Sequence, residues 1–115
     1  MIYTKMSSQK DEKMKEVIRE LASEFLVRES NRTSLITITA IELYSRGARA
    51  KILFTVLPES QEPAALDFLT RRLGDLRAYV EEHARIMRVP FFEAGIDMGE
   101  KNRQRIDEIE RESHA

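Results

Sequence analysis

Residues 28–57, RESNRTSLITITAIELYSRGARAKILFTVL, constrain the fold more than any other stretch of the chain. They hold two β-rich runs, 35–43 and 50–57, on either side of Ser45-Arg46-Gly47, a turn signal. Val, Ile, Thr and Phe dominate both runs, as a pleated and half-buried surface requires. In the second run Ala50, Ile52, Phe54 and Val56 fall on one side, and Arg49, Lys51, Leu53 and Thr55 on the other. That period of two sends one face to a core and leaves the opposite face largely polar. A lone hairpin is marginal in water, so the apolar face needs a cover.

The flanking segments supply one. Upstream, Met14, Val17, Ile18, Leu21, Ala22, Phe25 and Leu26 recur at helical spacing and form a continuous apolar stripe. Ser8 is placed to cap that helix and Asn31 to end it. Downstream, Pro63 stands near the start of a second stripe formed by Leu66, Leu69, Leu73, Leu76 and Val80. Gly74 falls inside this stripe, where it either kinks the helix or lets another backbone come close. Pro90 stops any helix before a third strand candidate, 91–97, in which Phe92, Ala94 and Ile96 alternate with Glu93, Gly95 and Asp97. Ile106 and Ile109 are the only large apolar residues beyond Gly99, so that tail has room for a short helix and is expected to be mostly solvated. The domain is placed at residues 1–98 and the charged tail at 99–115.

The order is α-β-β-α-α-β. A helical crossover permits the third strand to pair in parallel, and three strands with helices on one face make an α+β two-layer sandwich. That order is also the order of the type II KH fold.

Composition narrows the function. With 115 residues the chain is one domain by size, and with no cysteine it has neither disulfides nor thiolate metal sites. No apolar run reaches the length of a membrane span, and the N-terminus lacks a signal-peptide core, so a soluble cytoplasmic chain is expected. Charged residues make up 34% of the chain, yet the formal net charge is −1, so any anionic partner must be read from local distribution. Residues 28–51 carry five bases against Glu29 and Glu42, and residues 71–90 carry five against Asp75, Glu81 and Glu82. Residues 52–70 have three acids and no base. His83 has no second ligand at metal spacing, and no nucleophile motif or phosphate loop is present. Neither a catalytic set nor a cofactor or metal site is expected.

Several short motifs then occur together in order. Arg28-Glu29 ends the first helix, and Ser34-Leu35-Ile36-Thr37-Ile38-Thr39 opens the first strand. Ser45 lies in the turn, and Ala50-Lys51-Ile52-Leu53-Phe54-Thr55-Val56-Leu57-Pro58 forms the second strand. Gly74, Arg77 and Arg85-Ile86-Met87-Arg88-Val89-Pro90 follow. Over residues 8–98 this pattern resembles the bacterial ribosome-binding factor A family. The sequence departs from the family pattern at Asn31-Arg32-Thr33, at Arg72 and at Phe91-Phe92.

The resemblance implies a ribosome biogenesis factor that binds the free 30S subunit and assists late maturation and processing of 16S rRNA. It implies no catalysis, no small-molecule substrate, no membrane and a monomer. RNA contact would fall on Arg71, Arg72, Gly74, Arg77, Arg85 and Arg88, with Arg46, Arg49 and Lys51 as a second patch. On chemistry alone a run of arginines on a helix is ordinarily a solvated face, and Gly74 serves packing as readily as binding. A KH-like protein-interaction module without direct RNA contact is the alternative.

Overall fold

The structure, a computed structural model, describes residues 9–29, 35–85 and 88–113. Helix α1 (Gln9–Glu29) buries Ile18, Ala22, Phe25 and Leu26, the centre of the stripe seen in the sequence. Both proposed end signals of α1, Ser8 and Asn31, lie outside the described residues. Strands β1 (Leu35–Tyr44) and β2 (Arg49–Leu57) follow, then a 3-10 turn at Glu59–Gln61 and helix α2 (Glu62–His83). The chain closes with β3 (Phe91–Ile96) and helix α3 (Met98–Ser113).

The sheet order is β1-β2-β3, so β2 is central. It pairs antiparallel with β1, from Leu35↔Leu57 to Tyr44↔Arg49, and parallel with β3, from Arg49↔Phe91 to Phe54↔Ile96. This is the α+β type II KH-like sandwich expected from the element order, with the 3-10 turn and α2 as the helical pieces between β2 and β3.

Alternation in β2 is as read from the sequence: Ala50, Ile52, Phe54 and Val56 are all buried. Strand β1 is subtler. The register shifts between Ile38 and Ala40, leaving Thr39 as an extra residue opposite β2. That bulge reverses the parity of the strand, so Ile36 and Ile38 before it and Ile41 and Leu43 after it all meet the core. A regular strand would have turned one pair to the wrong face. Helix α2 brings Ala65, Leu69, Leu76 and Val80 into the same core.

Gly74 does not break α2, which runs unbroken for 22 residues. The glycine lies on the exposed side, and a Cβ added there would meet nothing within 4 Å. The leucines on the opposite face keep the helix whole, since tertiary packing of an apolar face outweighs one unfavourable residue.

The C-terminal segment forms a 16-residue helix, longer than the charged sequence suggested. None of its residues enters the buried core, and Met98, Ile106 and Ile109 stay exposed. Polar contacts hold it. Asp97 caps it by accepting the Glu100 amide at 3.0 Å on Oδ1, and its Oδ2 accepts the hydroxyl of bulge residue Thr39 at 2.6 Å. Lys101 Nζ lies 2.7 Å from Glu59 Oε1 and 2.9 Å from Glu62 Oε2, and Arg105 also pairs with Glu59. Among the described residues no helix is long and apolar enough to cross a membrane.

Two outcomes are expected. Phe54 is fully buried in the core, so Phe54→Ala should cost about 3–5 kcal/mol in a urea titration. An unchanged midpoint would mean that the sheet's core face is elsewhere. The second concerns acid. The Thr39 hydroxyl, and after it the Glu100 amide, hold the Asp97 carboxyl below its ordinary value of 3.8. A depressed folded pKa gives stability that is present above the ordinary value and lost as pH falls through the folded one. Asp97→Asn keeps a capping oxygen but removes that titration. Its melting temperature should therefore fall less steeply than the wild type's below about pH 4. Parallel acid limbs for the two proteins would show that this joint does not titrate with folding.

Candidate nucleic-acid interface

The bases nominated from the sequence fall into four places. On α2, Arg71 pairs with Asp67 one turn earlier. Arg72 reaches Glu29 at the end of α1, at 2.5 Å, with its Nε 3.3 Å from Asp75 and its guanidinium 5.8 Å from the centre of the Phe25 ring. Arg72 therefore ties the two helices together. A second tie is Tyr79, whose hydroxyl donates to Glu24 and whose ring lies 5.7 Å from Phe25.

Arg77 is engaged more fully. Its Nε donates to the Pro90 carbonyl at 3.1 Å, one terminal nitrogen to the Val89 carbonyl at 2.9 Å, and the other to Glu81 at 2.5 Å. The guanidinium also stacks over Phe91 at 4.5 Å. This single side chain fixes the path from α2 into β3. Charged donors of this kind contribute more than neutral ones.

Arg49 and Lys51 lie on the helix-free face of the sheet. Arg49 pairs with Glu93 at 3.1 Å on the neighbouring strand. Tyr44 joins the same group, and its hydrogen bond to the Glu93 carboxylate raises the phenol above its ordinary value. Lys51 lies across Gly95: a Cβ there would stand 2.7 Å from Lys51 Cε. Gly95 is thus the one glycine in a strand whose missing side chain makes room for a neighbour.

Arg46, Arg85 and Arg88 do come together. They line a cleft of about 600 Å³ with Lys10, Lys13, Asp11, Met14, Val17 and Gly47. Three separate segments build it: the first turns of α1, the β1–β2 turn, and the connection from α2 to β3. The turn carries three successive left-handed residues, Ser45 (φ 54°), Arg46 (φ 56°) and Gly47 (φ 80°), closed by the Ala48 amide on the Ser45 carbonyl at 3.1 Å. Only Gly47 takes that conformation without steric cost. None of the five bases in the cleft has an ion-pair partner among the described residues, whereas Arg49, Arg71, Arg72 and Arg77 all do. Lys10 and Lys13 were not nominated from the sequence. Their spacing along α1 marks only a solvated helix face; convergence with Arg46 and Arg85 is a product of the fold.

No protein-family model matches the chain, and no curated protein does. Solved structures do. The chain is similar to the crystal structure of ribosome-binding factor A from Thermus thermophilus, with 26% identity and a TM-score of 0.64 over 74% of this chain and 93% of that one. A homology model of the Thermus thermophilus factor, fitted into the cryo-EM map of a 30S complex, is 28% identical, with a TM-score of 0.58 over 70% of this chain and 87% of that one. The chain is ribosome-binding factor A-like. The solution structure of a Thermotoga maritima protein, a putative ribosome binding factor A, shares the fold at 18% identity and a TM-score of 0.64, over 80% of this chain and 91% of that one.

A ribosome-binding factor A-like chain with these groups can attract and hold polyanions. Among the described residues no cluster of His, Asp or Glu could hold a metal ion. His83 is engaged locally: its ring stacks on Tyr79 at 4.1 Å, and its Nδ1–H donates to the Tyr79 carbonyl at 2.8 Å.

Because the Gly74 site has open space around it, Gly74→Ala should raise stability by about 0.5–1 kcal/mol through helix propensity. Urea denaturation measures this directly. A loss of stability would show that α2 needs a glycine to bend or to admit a neighbour there.

Proposed function

We propose that this chain binds the free small ribosomal subunit in the cytoplasm and assists late maturation and processing of its 16S rRNA, without catalysing a reaction. The domain at residues 1–98 carries the binding and the tail at 99–115 is an appendage to it. The observation that carries this reading is the likeness, in both fold and sequence, to ribosome-binding factor A, one example of which has been fitted into a 30S complex. The electrostatics are consistent with it. A chain of net charge −1 gathers into one cleft five bases that have no ion-pair partner among the described residues, which suits association with RNA phosphates. Arg46, Arg85 and Arg88 would act first. Arg71, Arg72 and Arg49 would contact RNA only by exchanging a carboxylate for a phosphate, and Arg77 only by giving up backbone carbonyls. Gly74 and Lys51 complete the candidate surface, Gly74 by presenting open backbone on the exposed side of α2. The protein would act as a monomer with no cofactor.

One observation favours a second reading, a protein-interaction module. Leu35 and Leu57, paired across β1 and β2, lie on the helix-free face of the sheet, each more than 60% exposed.

Sedimentation separates the two. The purified chain should co-sediment with free small subunits, not with assembled ribosomes, and its affinity should fall linearly on a log–log plot against salt. Cells lacking it should accumulate precursor 16S rRNA. Failure to bind small subunits at low salt would end the ribosomal reading. Binding that ignores salt would move the helix-free face ahead.

A further inference from the structure

We infer that the cleft between α1, the β1–β2 turn and the segment preceding β3 is a clamp for the sugar-phosphate backbone of RNA that does not read bases. The inference deepens the proposal above, from which it takes RNA as the ligand. It adds two residues, Lys10 and Lys13, to the candidate surface.

Charge comes first. Five cationic side chains and one carboxylate, Asp11, line the cleft. The cations come from positions as far apart in the chain as 10 and 88, so helix periodicity alone does not explain their meeting. Without ion-pair partners among the described residues they are free to take phosphates, and each phosphate neutralised releases condensed counterions. Lys10 and Lys13 are three residues apart, about 4.5 Å along the helix axis, and so can serve neighbouring phosphates of one strand.

The described lining favours the backbone over the bases. Among its described residues no aromatic ring stands ready to stack a base and no Asn, Gln, Ser or Thr to pair with a base edge, so any base reading is left to the cations and Asp11. Met14 and Val17 give an apolar floor suited to the sugar face rather than to a donor–acceptor pattern.

Preorganisation adds to charge and lining. Arg46 is held at a left-handed φ of 56°, a conformation that costs an arginine free energy and recurs where function needs a side chain aimed. At the other wall, Arg88 immediately precedes the two carbonyls gripped by Arg77, so its backbone path is fixed from α2. Arg77 is thus a positioning residue for the clamp.

Fluorescence anisotropy with short labelled single-stranded RNAs tests this. The set is oligo(A), oligo(C), oligo(U) and one mixed sequence rich in guanine, titrated with salt against the full chain. Lys10→Ala/Lys13→Ala and Arg85→Ala/Arg88→Ala remove two cations each; Arg49→Ala/Arg71→Ala removes two outside the cleft. All six positions are exposed, so each variant should melt close to the wild type, as circular dichroism will report. The wild type should bind all four RNAs within a few-fold. Each cleft variant should bind at least about tenfold more weakly at low salt, with a slope of log affinity against log salt shallower by roughly 1.4. The Arg49/Arg71 variant should keep the wild-type slope.

Cleft variants that bind RNA like the wild type would overturn the clamp. So would a preference of about a hundredfold for one sequence, because the cleft would then read bases. Equal competition by an acidic peptide of matched charge would overturn the RNA assignment in favour of an acidic protein partner. Small subunits are measured alongside. If they bind while the cleft variants behave as wild type, the clamp fails and the ribosomal function stands. If they do not bind while RNA enters the cleft, the reverse holds.

Discussion

Burial of the inner face of β2 is the constraint from which the rest of the structure follows. Ala50, Ile52 and Phe54 are fully buried, and the strand that carries them is paired on both edges. Each large apolar side chain so buried is worth about 1.5–3 kcal/mol. A central strand cannot hide one face by itself, so α1 and α2 must lie side by side over it. Their own contact is fixed by Phe25, Tyr79 and the Arg72–Glu29 pair. Because both helices are committed to one face, the other face is left with polar residues and with Leu35 and Leu57 in the open.

The bulge at Thr39 makes β1 compatible with this arrangement. Ile36 and Ile38 share one parity and Ile41 and Leu43 the other, yet all four belong to the core side. One extra residue reconciles them. The same residue then serves α3, because its hydroxyl donates to Asp97, the cap of that helix. A repair to the strand register thus becomes an anchor for a helix with no stake in the core.

Patterns that are local in the chain were legible in the sequence. The stripe from Ile18 to Leu26, the alternation in β2, and Phe92, Ala94 and Ile96 on the core side of β3 all follow from a period of 3.6 or 2 matched to burial. The bulge was not legible, since Thr39 is as good a strand residue as its neighbours and only the partner strand reveals that it is supernumerary. Gly74 raised a possibility of bending that cooperative packing of the leucines around it overrode. The extent of α3 depends on Glu59 and Glu62, some forty residues earlier in the chain. Arginines could be nominated by composition, but their tasks could not be assigned. Whether a guanidinium meets carboxylates, carbonyls or solvent is decided by residues distant in the chain, as Arg77 with Val89 and Pro90, and Arg72 with Glu29, both show.

That distinction decides which bases of a nearly neutral chain are available to an anion. A base beside a carboxylate contributes little field beyond a Debye length of about 8 Å, since the pair is close to neutral as a whole. Bases without partners act undiminished. Arg49, Arg71, Arg72 and Lys101 belong to the first kind, whereas Lys10, Lys13, Arg46, Arg85 and Arg88 belong, among the described residues, to the second. The pairing of the former with Glu93, Asp67, Glu29 and Glu59 therefore does more than add surface contacts, which are individually worth under about 1 kcal/mol. It weakens Arg49, Arg71 and Arg72 as competing positive patches, and leaves the cleft as the place where five bases without an ion pair among the described residues converge. Convergent cations of this kind attract a polyanion before any contact forms. Sharpening the site in this way requires no excess of basic residues, and a net charge of −1 is no obstacle to it.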